Sequence, residues 1–231
     1  MIDSMNPIYS PTQGPESWRR LLAEPDKHWK KGYSSRSLAY CWEEAQGFPG
    51  SVVKAFKDSP YEIFHSIEFL LGIPEYKVPL PGGVTESQND IFVLARSGSE
   101  LIAITVEGKV KEELGPRVRI KRMDPSPGVQ ERLRYLTNLL NIADKDLGKI
   151  RYQLLHRTAS ALIEAERFCA PHALMLVHSF SQKNKRFDDF AAFCRLYGQE
   201  ASPNSIVYAG ECGGKHLYLG WVRGEKVYLG K

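Results

Sequence analysis

NDIFVLARSGSELIAITVEGK, residues Asn89–Lys109, is the stretch whose reading decides the fold. Apolar and small or polar residues alternate on both sides of Ser97-Gly98-Ser99-Glu100, the pattern of two strands joined by a tight turn. With the chain reversing there, Arg96 faces Leu101, Ala95 faces Ile102, Val93 faces Ile104 and Ile91 faces Val106. One side of the ribbon is then wholly apolar. The other side pairs Leu94 with Ala103, Phe92 with Thr105 and Asp90 with Glu107, and Lys109 follows on that side two residues later. A register one residue off would send Asp90 and Glu107 to opposite sides. Two carboxylates and an ammonium converge at one end of an apolar ribbon, an arrangement that is costly unless a cation sits between the acids.

Upstream of the ribbon the spacing of apolar residues is helical. Ser17 caps a short helix to Glu24, and Ser34 or Ser35 caps one carrying Leu38, Ala39, Trp42 and Ala45 on one stripe. A third covers about 51–57. Ser59-Pro60 opens a fourth, with Ile63, Phe64, Ile67, Leu70 and Leu71 as its apolar face and Gly72 at its end. Residues 1–72 read as an extended arm (1–15) and a helical lobe, and residues 73–231 as an α/β core, together one compact unit.

From Tyr76 the period becomes that of strands. Tyr76–Leu80 is short, and Pro81-Gly82-Gly83 turns the chain into the ribbon. Downstream, Arg117-Val118-Arg119-Ile120-Lys121 alternates basic and apolar residues. That suits an edge strand with a solvated basic face or one that contacts phosphate. A helix carries Leu133, Leu136, Leu139 and Leu140, and a longer one runs from about Leu147 to Phe168. Ala173–Phe180 is nearly continuously apolar, as in a central strand covered on both faces. A helix over Phe187–Tyr197 and short strands at Ser205–Ala209, Lys215–Val222 and Lys226–Leu229 close the chain. The fold class is α/β (α+β), a mixed central sheet flanked by helices.

Composition sets the outer bounds. The chain has 231 residues, 42% hydrophobic and 25% charged, with a net charge of +4. Those values suit a globular protein with a sizeable core. The charge admits an anionic partner without demanding one. The four cysteines, Cys41, Cys169, Cys194 and Cys212, form no Cys-x-x-Cys pair, so neither a zinc site nor a disulfide scaffold is expected. No apolar h-region opens the chain and no run approaches a membrane span, so a reducing cytoplasm is the expected location. Gly213-Gly214-Lys215-His216 lacks the spacing of a phosphate-binding loop and reads as a hairpin turn. His178 and Ser179 are neighbours on a strand and point to opposite faces, which argues against a catalytic dyad.

Asp90, Glu107 and Lys109 are the residue types that metal-assisted phosphate chemistry needs. Carboxylate oxygens suit Mg²⁺ or Mn²⁺, such an ion acidifies water and neutralises phosphate charge, and an ammonium beside it meets charge developing in the transition state. Glu-x-Lys on a strand is also a common solvated pair worth about 0.2–1 kcal/mol. The preceding Asp at matching parity shifts the balance toward a site, and Gly108 permits a close backbone approach.

Asn89-Asp90 and Glu107-Gly108-Lys109 on successive strands, with helices before and after, resemble the PD-(D/E)XK nuclease superfamily, whose fold is restriction-endonuclease-like; the proline of that motif is absent. HWKKG, VEGKVKEELGP and RYQLLHRTASALIEA further resemble a bacterial domain family of unknown function placed near these nucleases. The resemblance implies Asp90 and Glu107 as ligands of Mg²⁺ (or Mn²⁺), Lys109 as transition-state stabiliser and Gln153 as the residue positioning water or phosphate. The tyrosine that often follows that glutamine is Arg157 here. Gln153, Arg157, Ser160 and Glu164 share one helical stripe with His156 beside it and Arg151 one turn earlier. Arg117, Arg119, Arg151, His156 and Arg157 are the candidate substrate contacts, and Glu43, Glu44 and Glu68 are further acids on the early helices. The expected partner is nucleic acid, DNA ahead of RNA, with no membrane and with a homodimer possible. Two other readings stand beside this one: a catalytically inactive module binding nucleic acid or protein, and a small-molecule enzyme centred on Gln153 and His156.

Overall fold

The computed structural model describes residues 12–231; the arm expected at 1–15 lies mostly outside them. A six-stranded mixed sheet runs through the molecule in the order β1-β2-β3-β4-β6-β5. Its strands are β1 (Ile67–Val78), β2 (Ser87–Ser97), β3 (Glu100–Lys109), β4 (His172–Ser179), β5 (Ser205–Cys212) and β6 (Lys215–Arg223). β1, β2 and β3 form an antiparallel meander, β4 runs parallel to both β3 and β6, and β5 returns antiparallel to β6. The mixed α/β class expected from the sequence is what the chain adopts.

The ribbon pairs in the register its alternation dictates: Ile91 with Val106, Val93 with Ile104, Ala95 with Ile102 and Arg96 with Leu101. Its apolar side packs beneath α2 (Ser34–Ala45) and α3 (Gly50–Lys57), where Leu38, Trp42, Val52 and Phe56 join Ile91, Val93, Ile104 and Val106 in one core. The opposite side carries Phe92, Leu94 and Ala103. It meets α5 (Pro127–Leu139), α6 (Tyr152–Arg167) and α7 (Phe187–Arg195) in a second core with Leu136, Leu155 and Phe190. β4 is buried at every position, as its apolar run requires.

Four expectations are corrected. The helix read over Ile63–Leu71 is a 3-10 turn at Glu62–Phe64 followed by β1, so strand structure crosses the boundary placed at residue 72. β1 is a half-solvated edge strand with a bulge between Phe69 and Leu71, and Leu70 and Leu71 stand exposed. Alternation is lost there, and apolar residues fall by chance at helical spacing. Arg117–Lys121 is not a strand: α4 (Val118–Arg122) is a helical turn with Val118 inward and Ile120 exposed, and Arg117 makes a single bridge to Arg151. α6 begins at Tyr152, five residues later than read. Lys226–Gly230 is a 3-10 helix, not a strand.

Candidate active site

The C-terminal end of β3 and the N-terminal end of β2 open onto a cleft of about 450 Å³. Its polar floor includes Glu75, Asp90, Glu107, Lys109, Gln153 and Arg157. One step past the Ile91–Val106 pair, Asp90 and Glu107 are neighbours, as the register requires. Between the Pro74–Ile91 and Tyr76–Asn89 pairs, Glu75 lies opposite Asp90. Three carboxylates therefore stand in a row across β1, β2 and β3, a placement that is destabilising without countercharge.

Glu107 is 3% exposed and Lys109 5%. The Lys109 ammonium donates to Glu107 Oε1 at 2.6 Å, and the Gln153 amide donates to the same oxygen at 2.6 Å. Arg157 Nε donates to Oε2 at 2.5 Å. Thr105 explains why α6 delivers these groups here. It precedes Glu107 by two residues on the same face, and its hydroxyl donates to the Arg157 carbonyl at 3.0 Å, pinning the helix over the strand. The stripe Gln153, Arg157, Ser160, Glu164 thus points into the sheet, with Ser160 and Glu164 fully covered. Glu164 accepts from the Tyr76 hydroxyl at 2.8 Å.

Asp90 Oδ2 accepts from the Gly108 N–H at 2.7 Å, and a Cβ on Gly108 would meet that oxygen at 3.1 Å. The missing side chain lets the acid approach the backbone this closely. Asp90 Oδ1 has no hydrogen-bond partner among the described residues. Burial first, and then the Glu107 charge, raise the Asp90 carboxyl to about 7. Burial raises Glu75 as well, with Asp90 adding to it. Glu107 goes the other way: burial opposes its charge, but Arg157 and Lys109 outweigh that and hold it below the ordinary carboxylate range.

Glu75 is the residue that the sequence does not advertise. In Pro74-Glu75-Tyr76-Lys77 it looks like a solvated strand acid, yet it is 8% exposed, bonded by the Gln88 amide at 2.7 Å and held at φ 51°. Left-handed backbone at a non-glycine residue costs on the order of 1–2 kcal/mol. Only the β1–β2 register, invisible while β1 reads as helix, exposes it.

His156 and Arg157 both line the cleft. Ser87 Oγ lies 2.9 Å from His156 Nδ1 and accepts from Arg157 at 3.0 Å. Arg151 is turned away: its guanidinium binds Asp189, Glu113 and the Gly115 carbonyl, tying α7 and the β3–α4 connection to the start of α6. Arg117 and Arg119 do not line the cleft. Glu43, Glu44 and Glu68 are engaged elsewhere, with Trp18, Lys231 and Arg96 respectively.

Beneath α2 and α3, Cys41, His178 and Glu225 bring possible ligand atoms within 4.8 Å of one another. Trp42 Nε1 donates to His178 Nδ1 at 3.1 Å, so the proton of the neutral ring sits on Nε2, facing Ser51 Oγ at 3.2 Å. That nitrogen has no lone pair to offer an ion. His178 and Ser179 face apart, as expected.

The fold and site define a mixed-sheet α/β protein with a buried acid–cation cleft at the end of its central strands. The chain belongs to the family described as "Domain of unknown function (DUF6946)", which it matches over residues 11–226. It matches no curated protein and no solved structure. Among the described residues, no helix is long and apolar enough to cross a membrane.

Proposed function

We propose that this chain is a metal-dependent phosphodiesterase of nuclease type, acting on nucleic acid, DNA ahead of RNA, in the cytoplasm. The observation that carries this reading is the convergence of Asp90, Glu107, Lys109 and Gln153, from three separate elements, on one cleft. The donor set fits Mg²⁺ or Mn²⁺: three carboxyl groups, Glu75, Asp90 and Glu107, face two cations, Lys109 and Arg157, and Asp90 Oδ1 is left without a partner among the described residues. Asp90 and Glu107 would hold the ion, with Glu75 beside Asp90. Bound there, it supplies charge neutralisation at a phosphate and acidifies water.

The protein's own groups do the rest. Lys109, fixed against Glu107, presents its remaining N–H donors to negative charge building on a phosphate oxygen. Gln153 spends one amide hydrogen on Glu107, leaving its Oε1 free to accept from a water and orient it. Arg157 keeps Glu107 ionised and pins it in place. The test is cleavage of DNA and RNA with Mg²⁺ or Mn²⁺. Loss of cleavage by a factor of about 10²–10³ in Lys109→Ala, and its loss in Asp90→Ala, is expected; activity persisting in both variants overturns the assignment.

A second reading, a catalytically inactive binding module, draws on one observation: both Glu107 oxygens are already taken by Lys109, Gln153 and Arg157. Salt-sensitive DNA binding that is never followed by cleavage, and that Asp90→Asn leaves unchanged, would favour it. The small-molecule alternative would be supported by a pocket centred on Gln153 and His156 and far from Glu107; both residues line the Glu107 cleft, and His156 also lines a second chamber beside it.

A further inference from the structure

Next to the acidic cleft lies a second chamber of about 300 Å³, between the loop from Leu80 to Ser87 and the N-terminal half of α5. Tyr152 and His156 line both chambers and form the wall between them. The second has the opposite electrical character. Lys121 places its ammonium over the Tyr152 ring, 5.4 Å from the centroid. Arg132 donates Nε to the Pro81 carbonyl at 2.9 Å and Nη2 to those of Leu80 and Gly83 at 3.2 and 3.1 Å, and its guanidinium also bonds the Tyr152 hydroxyl. Neither cation pairs with a carboxylate among the described residues, and Glu86, the acid at the rim, pairs with neither.

His156 adds a donor to this wall. Its Nδ1 faces an Arg157 N–H at 3.3 Å as well as the Ser87 hydroxyl, and a guanidinium can only donate, so Nδ1 carries the lone pair. The ring proton is then on Nε2, which has no protein partner among the described residues. Burial, and after it Arg157, Arg132, Lys109 and Lys121, keep the ring neutral. Four cations thus gather around one imidazole. The chamber is also pre-shaped: Gly82, at φ 81°, rests so closely on the Gly128 carbonyl that a Cβ would lie 2.1 Å from it. The loop is thus seated directly on α5, and the chamber between it and Lys121 and Arg132 is formed before any ligand arrives.

We propose that this cationic chamber binds the phosphate next along the strand from the one at the acidic cleft, so that the ligand is a chain of at least two phosphodiesters. The inference rests on the phosphodiesterase reading and adds to that site a second phosphate subsite. A lone diester would reach the acids but leave Lys121 and Arg132, which form no ion pair among the described residues, without a phosphate. A strand offers one anion to each chamber, with Tyr152 between them as an aromatic surface for the intervening sugar and base.

The test uses the full chain in Ca²⁺ and two labelled probes, a thymidine dinucleotide with one phosphate and a pentanucleotide with four. Lys121→Met keeps the stem over Tyr152 and removes the charge; Lys121→Glu reverses it. Lys121→Met is expected to weaken pentanucleotide binding by about tenfold at low salt and to flatten its log–log salt dependence by about 0.7. Lys121→Glu should weaken it further, and dinucleotide binding should be untouched by both. Thermal melting confirms that each variant is folded. Equal losses on both probes, or none on the pentanucleotide, overturn the chamber while metal-dependent cleavage by the wild type leaves the nuclease reading standing. A wild type that binds and cleaves neither probe overturns both.

Discussion

Two polar clusters lie back to back across β3 and β4, and each contains an acid, a histidine and a serine; the first runs from the buried His178 out to the exposed Glu225. On the α2/α3 side, Trp42 donates to His178, His178 to Ser51, and the Ser51 hydroxyl to Glu225 at 3.2 Å, while Glu225 also accepts the Ser51 N–H at 3.0 Å and so caps α3. Every proton in that chain has a destination. Burial lowers His178 to about 3, so the ring stays neutral. On the α6 side, three carboxyl groups face two cations, and among the described residues Asp90 keeps an oxygen without a partner and the His156 Nε2–H points at no acceptor. The difference is one of completeness. A buried polar network that closes on itself behaves as structure, whereas one left with excess charge and open donors at a cleft is equipped for a ligand.

The largest effects should come from breaking each network at its centre. Glu107→Ala leaves Lys109 and Arg157 buried without their shared counter-ion and is expected to cost about 3–5 kcal/mol in urea unfolding. His178→Ala orphans the Trp42 N–H and should cost about 2–3 kcal/mol, yet leave cleavage and DNA binding as in the wild type. An unchanged unfolding midpoint in the first, or lost binding in the second, would erase the contrast between the clusters.

A smaller effect has a definite sign with pH. Asp90 has a folded pKa of about 7, above its unfolded value near 3.8. Between those values the folded state holds the extra proton, so stability falls as pH rises through that window and the penalty is complete above about 7. Asp90→Asn should therefore melt close to wild type at pH 4 but be more stable at pH 8, by on the order of 1–3 kcal/mol. Added Mg²⁺ should stabilise the wild type at pH 8 and not the variant. A difference between the two proteins that does not change with pH would remove the charge-excess argument. The smallest change is Gly108→Ala, whose Cβ would crowd Asp90 Oδ2 at 3.1 Å while meeting Leu38 at an ordinary 3.5 Å. Roughly 1 kcal/mol of stability should be lost, with a larger proportional drop in cleavage, since the carboxylate must shift by a few tenths of an ångström.

How much of this is legible before folding depends on which forces act locally. The β2–β3 ribbon is readable because its turn is short and one side is wholly apolar, so a one-residue slip would exchange that apolar set with the side that carries Asp90, Glu107 and Lys109. That register alone brings Asp90, Glu107 and Lys109 together, and helical spacing then brings Gln153 and Arg157 to one stripe. β1 resists reading because an edge strand buries only part of itself: Ile67, Leu70, Leu71 and Ile73 carry no clean period, and the bulge removes what remains. Glu75 is hidden for the same reason. The inward direction of the α6 stripe is equally illegible, since Ser160 and Glu164 look solvated until Tyr76 and the sheet cover them. Arg117–Lys121 misleads in the opposite way, with alternation produced by one helical turn at the surface.

The separation between the acids and their cation has a consequence for how the chain is made. Lys109 follows Glu107 by two residues, but Arg157 follows it by 50. During N- to C-terminal synthesis the β1–β3 meander emerges with Glu75, Asp90 and Glu107 in a row and one ammonium to balance them. The second countercharge, Arg157, therefore becomes available to these acids only once α6 has been made, held over the sheet by the Thr105 hydroxyl.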